Sequence, residues 1–169
     1  MFRRIEDVVE MWRQEEEKTL AVMDAIPDAA AHQAVDAHHR DLRRMAWHLV
    51  ESTVELPEHM GIRVAGFPGE PFKVPPPPRM ATIRDTYAAV GASFRERVAP
   101  LNAMALAAVY PCYGESWTGA FLMMVLVQHQ THHRGQMTVL MRQAGLKVPE
   151  LYGPTLESWS AYGMPAPQV

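Results

Sequence analysis

The chain has 169 residues, 48% of them hydrophobic and 21% charged, and a formal net charge of −3. That length suits one domain, residues 1–169, with a core large enough to need no disulfide, and a single cysteine, Cys112, excludes both an internal disulfide and a thiolate metal cluster. The scattered basic residues leave no footprint for nucleic acid, and no apolar run approaches the roughly 20 residues that span a bilayer.

The N-terminal run Met1–Asp7 turns acidic before a signal-peptide core could form, so the expectation is a soluble cytoplasmic protein with no membrane partner. The first predicted helix covers about residues 5–26. Ile5, Val9, Trp12, Met23 and Ile26 recur in steps of three and four, and Glu16 and Thr19 fall on the same seam. Pro27-Asp28 stops it. A second helix is predicted over about residues 36–56, with Asp36 as N-cap and Pro57 as terminator. Leu42, Met45, Ala46, Leu49, Thr53 and Leu56 line its apolar face, and His48 lies on the shoulder, about 100° from Leu49.

Residues 58–78 read as a long connection rich in glycine and proline. The run Pro75–Pro78 favours polyproline II and forbids helix. A connection of this length fits a crossover that lets two helices run in the same direction. Met80, Ile83, Tyr87, Val90, Phe94 and Val98 mark a third helix over about residues 79–98. Leu101–Val109 is apolar but too short to assign, and Pro111–Gly114 is a turn. A fourth long helix is expected from about Ser116, as N-cap, to Ala144, with Gly145 as the glycine that closes it. The tail, residues 146–169, is too rich in breakers for a long helix, but Tyr152 and Trp159 can pin it to the body. Four amphipathic helices make the fold class all-α, a helix bundle. The twelve methionines read as filling in a helical core.

The chemistry concentrates in Gln128–Gln136. His129 and His133 are four residues apart and project from one helix face. With His129 at zero, Leu122, Val125, Leu126, His133, Gln136 and Leu140 fall within about 60° of it, while Thr131, Arg134 and Thr138 fall roughly opposite. Two imidazoles on an apolar face need a shared partner, because an unsatisfied buried polar group costs roughly 1–3 kcal/mol. A divalent metal supplies one, and core histidines bonded to distant side chains are the alternative. The zinc-protease pattern does not apply, since its glutamate is replaced here by Gln130, which cannot act as a base. A third ligand must come from another helix, and His48 is best placed. His32, His38, His39 and His59 lie near predicted helix ends or in loops and read as solvated. His132, about 60° off the histidine face, either supports the metal ligands or simply packs. Glu16 needs a partner on its apolar seam: the metal site or its water, or an arginine. Cys112 reads as an unreactive turn or core thiol.

Three pieces of sequence resemble the DinB/YfiT-like superfamily of metal-dependent proteins. They are Ala46–Val50, His129–Gln136, and the stretch from Leu140–Gly145 through Val148-Pro149 and Leu151–Pro154 to Glu157–Trp159. Their order covers essentially the whole chain. The resemblance implies a four-helix bundle with up-down-down-up connections and a homodimer. It implies one divalent transition metal, zinc or nickel, held by His48, His129 and His133. Many relatives carry glutamate in place of Gln130, a position expected to face away from the metal. Three histidines leave coordination positions open, the layout of a catalytic metal. Some relatives are transferases or isomerases that use a low-molecular-weight thiol, so a metal-dependent enzyme activating such a thiol for a small-molecule substrate is the leading expectation. Glu16 would then orient a bound water, and Gln136 would support a ligand from behind. A hydrolase using metal-bound water and a non-catalytic, stress-related metal-binding protein are the alternatives.

Overall fold

A computed structural model describes residues 1–168. Its framework is four long helices: α1 (Ile5–Asp24), α2 (Leu42–Glu58), α3 (Met80–Val98) and, after the short helix α4 (Ala103–Ala107) and a hairpin, α5 (Gly119–Gln143). Helix α1 packs on α3 and α5, and α2 packs on the same two helices from the other side. Side-chain partners fix the directions. Glu15 meets Thr131 and Thr19 meets Arg134, so α1 and α5 run together. Asp24 meets Arg84 and Glu16 meets Arg95, so α3 opposes α1. Met45 lies near Leu140 and Met60 against Gly119, so α2 opposes α5. The order is therefore up-down-down-up, and the long link between α2 and α3 joins parallel helices.

The core is the inward face of all four helices. Trp12, fully buried, stacks between Tyr87 and Phe94, with ring centroids 6.5 and 4.7 Å away. Truncating a tryptophan in such a setting costs about 3–5 kcal/mol. Helix α2 is buried nearly all round from Met45 to Thr53. Two faces meet α3 and α5, and the crossover covers the third. Phe67 stacks on Trp47 at 5.0 Å, the Trp47 indole N–H donates to the Val74 carbonyl at 2.9 Å, and the Phe72 N–H donates to Glu51 at 3.1 Å.

Several boundaries differ from the expectation. Helix α2 begins at Leu42, not near Asp36, because Asp41 is the residue whose carboxylate accepts the Arg44 N–H at 2.7 Å. Asp36 instead accepts from the His38 N–H and the His39 ring, closing a local turn. Pro57 sits within the last turn, which continues to Glu58. Leu101–Val109 splits into α4 and the first residue of a strand. Ser116 caps nothing, since it lies in the two-stranded antiparallel hairpin β1 (Val109–Cys112) and β2 (Glu115–Thr118). Tyr113 and Gly114 turn it, both with positive φ, the conformation a two-residue hairpin loop requires. Thr118 is the true N-cap of α5, accepting from the Phe121 N–H at 3.2 Å. Gly119 follows because a Cβ there would stand 2.2 Å from the Ala105 carbonyl oxygen. In the tail, Tyr152 reaches the bundle, Arg142 pairs with Glu157, and Trp159–Tyr162 forms a 3-10 turn.

Candidate metal centre

Helices α2 and α5 bring His48, His129 and His133 together. The Nε2 atom of His129 lies 3.2 Å from Nε2 of His48 and 3.2 Å from Nε2 of His133. A potential ligand atom of each ring lies within 4.8 Å of the others. Two tetrahedral ligands at ordinary Zn–N distances stand about 3.3 Å apart, so the observed spacing needs little adjustment to hold an ion. His48 is buried at 8% exposure, and the two α5 imidazoles are half-buried at the edge of that helix.

The three rings can satisfy one another only in part, since a single proton on His129 Nε2 would serve one of its two neighbours. The Nδ1–H of His133 is placed to donate to the Gln136 side-chain oxygen at 2.7 Å, which leaves its Nε2 as a bare lone pair aimed at His129. The Nδ1 atoms of His48 and His129 are buried without a hydrogen-bond partner. If those nitrogens carry the protons, three lone pairs face a common point. A proton does not resolve this. Burial first, then nearby charge, pushes His48 down to about 3 and His129 to about 4, and His133 is lowered chiefly by burial. A divalent cation meets all three lone pairs at once, and neutral imidazole suits zinc, nickel, copper and iron alike.

Behind His48, a Glu51 carboxylate oxygen stands 3.9 Å from Nδ1. Glu51 is fully buried and held by Arg44 at 2.8 Å and by the Phe72 N–H. The Phe72 ring covers His48 at 5.9 Å. The separation is too long for a hydrogen bond, but a carboxylate in this place would orient the ring and raise its basicity once the two closed on each other around a bound ion. Glu51 was not singled out from the sequence, although its position three residues after His48 on a helix was the available signal.

On the other side, His133 borders a cavity of about 490 Å³ lined by Val35, Arg40, Met45, Gln136, Val139 and Leu140, with His38 and His39 at its rim. That volume is typical of a small-molecule site. His132 is exposed and meets the His133 ring edge-on at 4.9 Å.

Glu16 does not join this cluster. Its carboxylate is buried against the Arg95 guanidinium at 3.1 Å, and a Cβ on Gly91 would stand 2.7 Å from it. Of its two expected partners, arginine is the one present, because Glu16 turns toward α3. Burial lifts its carboxyl above the ordinary range despite Arg95. Arg134 also departs from expectation. It is 1% exposed rather than outward-facing, and donates to the Glu15 carbonyl at 3.1 Å, to Thr19 at 2.8 Å, and to the Glu15 carboxylate and Tyr152 hydroxyl. Tyr152 in turn donates to Glu15. Burial opposes ionisation of Glu15, but Tyr152 and Arg134 outweigh it and hold its carboxyl below the usual range. Gln130 is fully buried, accepting from Tyr87 at 3.0 Å and donating to the Leu49 carbonyl at 3.1 Å and Thr53 at 3.1 Å. It points away from the histidine cluster into the core. Cys112 is buried, and burial pushes its thiol up. Among the described residues no helix is long and apolar enough to cross a membrane.

The comparisons agree with this architecture. The chain is 32% identical over 170 residues, covering all of both sequences, to Bacillus subtilis YrdA, a protein itself uncharacterised. A crystal structure of a DinB-like protein from Bacillus cereus superposes with a TM-score of 0.83 at 35% identity, over 90% of this chain and 100% of that one. A DinB-like protein of B. subtilis, YjoA, shares the fold at a TM-score of 0.68 and 16% identity, over 88% of this chain and 99% of its own. The sequence model of the DinB family matches residues 1–167, and this chain belongs to that family.

Proposed function

We propose that the protein is a metal-dependent enzyme whose His48, His129 and His133 hold one divalent transition ion, zinc or nickel, for reaction of a low-molecular-weight thiol with a small electrophile. The observation that carries this reading is the convergence of three imidazoles, one of which, His133, borders a cavity. Three protein ligands leave open positions, whereas structural zinc sites close all four. When bound, such an ion supplies Lewis acidity that lowers the pKa of a thiol or water.

The chain's own residues supply the rest. Gln136 fixes the His133 tautomer, Glu51 and Phe72 hold the far side of His48, and the cavity wall receives the substrate. A hydrolytic reaction would want a carboxylate base near the water, and the residues lining the cavity include none. The same reading carries a homodimer, which light scattering tests separately.

The decisive assay compares metal-loaded and chelated protein with several thiols and an electrophile. Thiol-dependent, chelator-sensitive consumption of the electrophile is expected. Ester cleavage without thiol would favour hydrolysis. Stoichiometric metal with no turnover of either kind would leave a metal-binding protein and remove the enzyme reading.

A further inference from the structure

The wall of the cavity beside the histidine cluster is chemically uneven. Val35, Met45, Val139 and Leu140 give it an apolar side, and Arg40 gives it a guanidinium. Several neighbouring groups are already paired. Arg44 is tied to Glu51 at 2.8 Å, His39 to Asp36 at 2.7 Å, and Asp41 caps α2. Among the described residues no carboxylate lies within ion-pair reach of Arg40, and none lines the cavity. Arg40 and the ligand candidate His133 line the same cavity. Arg40 is exposed, so water solvates its charge in the empty cavity and the guanidinium is free to receive an anion.

We propose that Arg40 is the specificity-determining residue of this cavity, and that the small molecule held at His48, His129 and His133 carries a carboxylate which Arg40 receives. This rests on the reading that the cluster holds a metal open to a ligand. Arginine presents a planar fork that matches a carboxylate with two parallel hydrogen bonds. The ligand spans from its metal-seeking atom at the histidines to its anion at Arg40, and its aliphatic part lies along Val35, Val139 and Leu140. Neutral ligands of the same length fill the apolar side and leave the guanidinium unanswered.

The test uses the full chain loaded with Co(II), whose visible spectrum reports ligands directly. Two matched pairs serve as probes: 3-mercaptopropionate against 2-mercaptoethanol, and succinic monohydroxamate against acetohydroxamate. The acidic member of a pair should bind about 10- to 100-fold more tightly, the preference expected of a charge-assisted pair. Arg40→Ala and Arg40→Gln should erase the preference while leaving cobalt content and the affinity of the neutral members unchanged, and Arg40→Lys should keep part of it. Equal affinities within a binding pair, or a preference that survives both substitutions, would overturn the role of Arg40. If neither thiol perturbs the spectrum, the thiol reading fails and the hydroxamates alone decide Arg40. If no probe of either kind binds, the proposal falls with the open centre it requires.

Discussion

Helix α5 carries two polar pairs of identical spacing, offset by one residue, and the two have opposite characters. Gln130 and Arg134 point into the core and are tied by several hydrogen bonds to α1, α2, α3 and Tyr152. His129 and His133 point along the α2 seam, where the buried His129 Nδ1 has no partner and His133 borders a cavity. The first pair is a finished hydrogen-bond network, and such networks rigidify a core. The second is an unfinished one, and it asks for something the chain does not contain. Polarity in a helix interior therefore does not identify a site. Unmet valence facing an accessible volume does.

That contrast can be broken most directly at the histidines. His129→Ala removes the ring shared by both close Nε2 pairs, and elemental analysis should find metal lost almost completely, with His133→Ala close behind. Full stoichiometry in either would refute its role as ligand. The apo fold should persist by circular dichroism, since the aromatic core does not pass through these rings. Arg134→Ala should do the reverse. It leaves the buried Glu15 carboxylate with Lys18, Thr131 and Tyr152 alone, a loss of buried hydrogen bonds that costs about 1–3 kcal/mol, readable by urea denaturation, while metal per folded molecule stays constant. Loss of metal without loss of stability in that variant would erase the distinction between the two pairs.

Smaller changes sharpen it. Glu51→Gln removes the carboxylate behind His48 and should weaken metal affinity about 10- to 100-fold in a chelator competition. A pH dependence of the apo protein probes the same cluster without any substitution. His48 and His129 fall from 6.5 to about 3 and about 4. Below 6.5 the unfolded chain therefore binds protons that the folded chain refuses. Stability from these groups is complete above that pH and should be lost progressively as pH falls toward 4 and 3. Thermal melts of chelated protein across that range should show the decline, and His48→Gln should flatten part of it.

Periodicity and breakers were enough to reveal four helices, the crossover and the imidazole pair on α5. They failed where the deciding partner is distant in sequence. Arg134 looked outward because a wheel centred on His129 treats charged residues as solvent-facing. In fact α5 is buried against α1 as well as α2, and Glu15 and Thr19 complete the arginine from more than a hundred positions away. Glu16 could equally have faced a metal or an arginine until α3 placed Arg95 beside it. Asp36 and Asp41 are both competent caps, and only the bond to Arg44 separates them. Ser116 yields to Thr118 as the cap because Ser116 lies inside β2, and the strands of this hairpin are too short for alternation to register.

The crossover has a consequence beyond joining parallel helices. Its backbone at Phe72 is tethered to the same buried carboxylate that backs His48, and its aromatic ring lies over that imidazole. A segment that looks like slack is thereby wired to the chemistry. Lengthening it between Gly69 and Val74 would lift the ring from the far side of His48 and leave Glu51 held by Arg44 alone. Evolution can therefore retune this centre by editing a linker, without touching a single ligand.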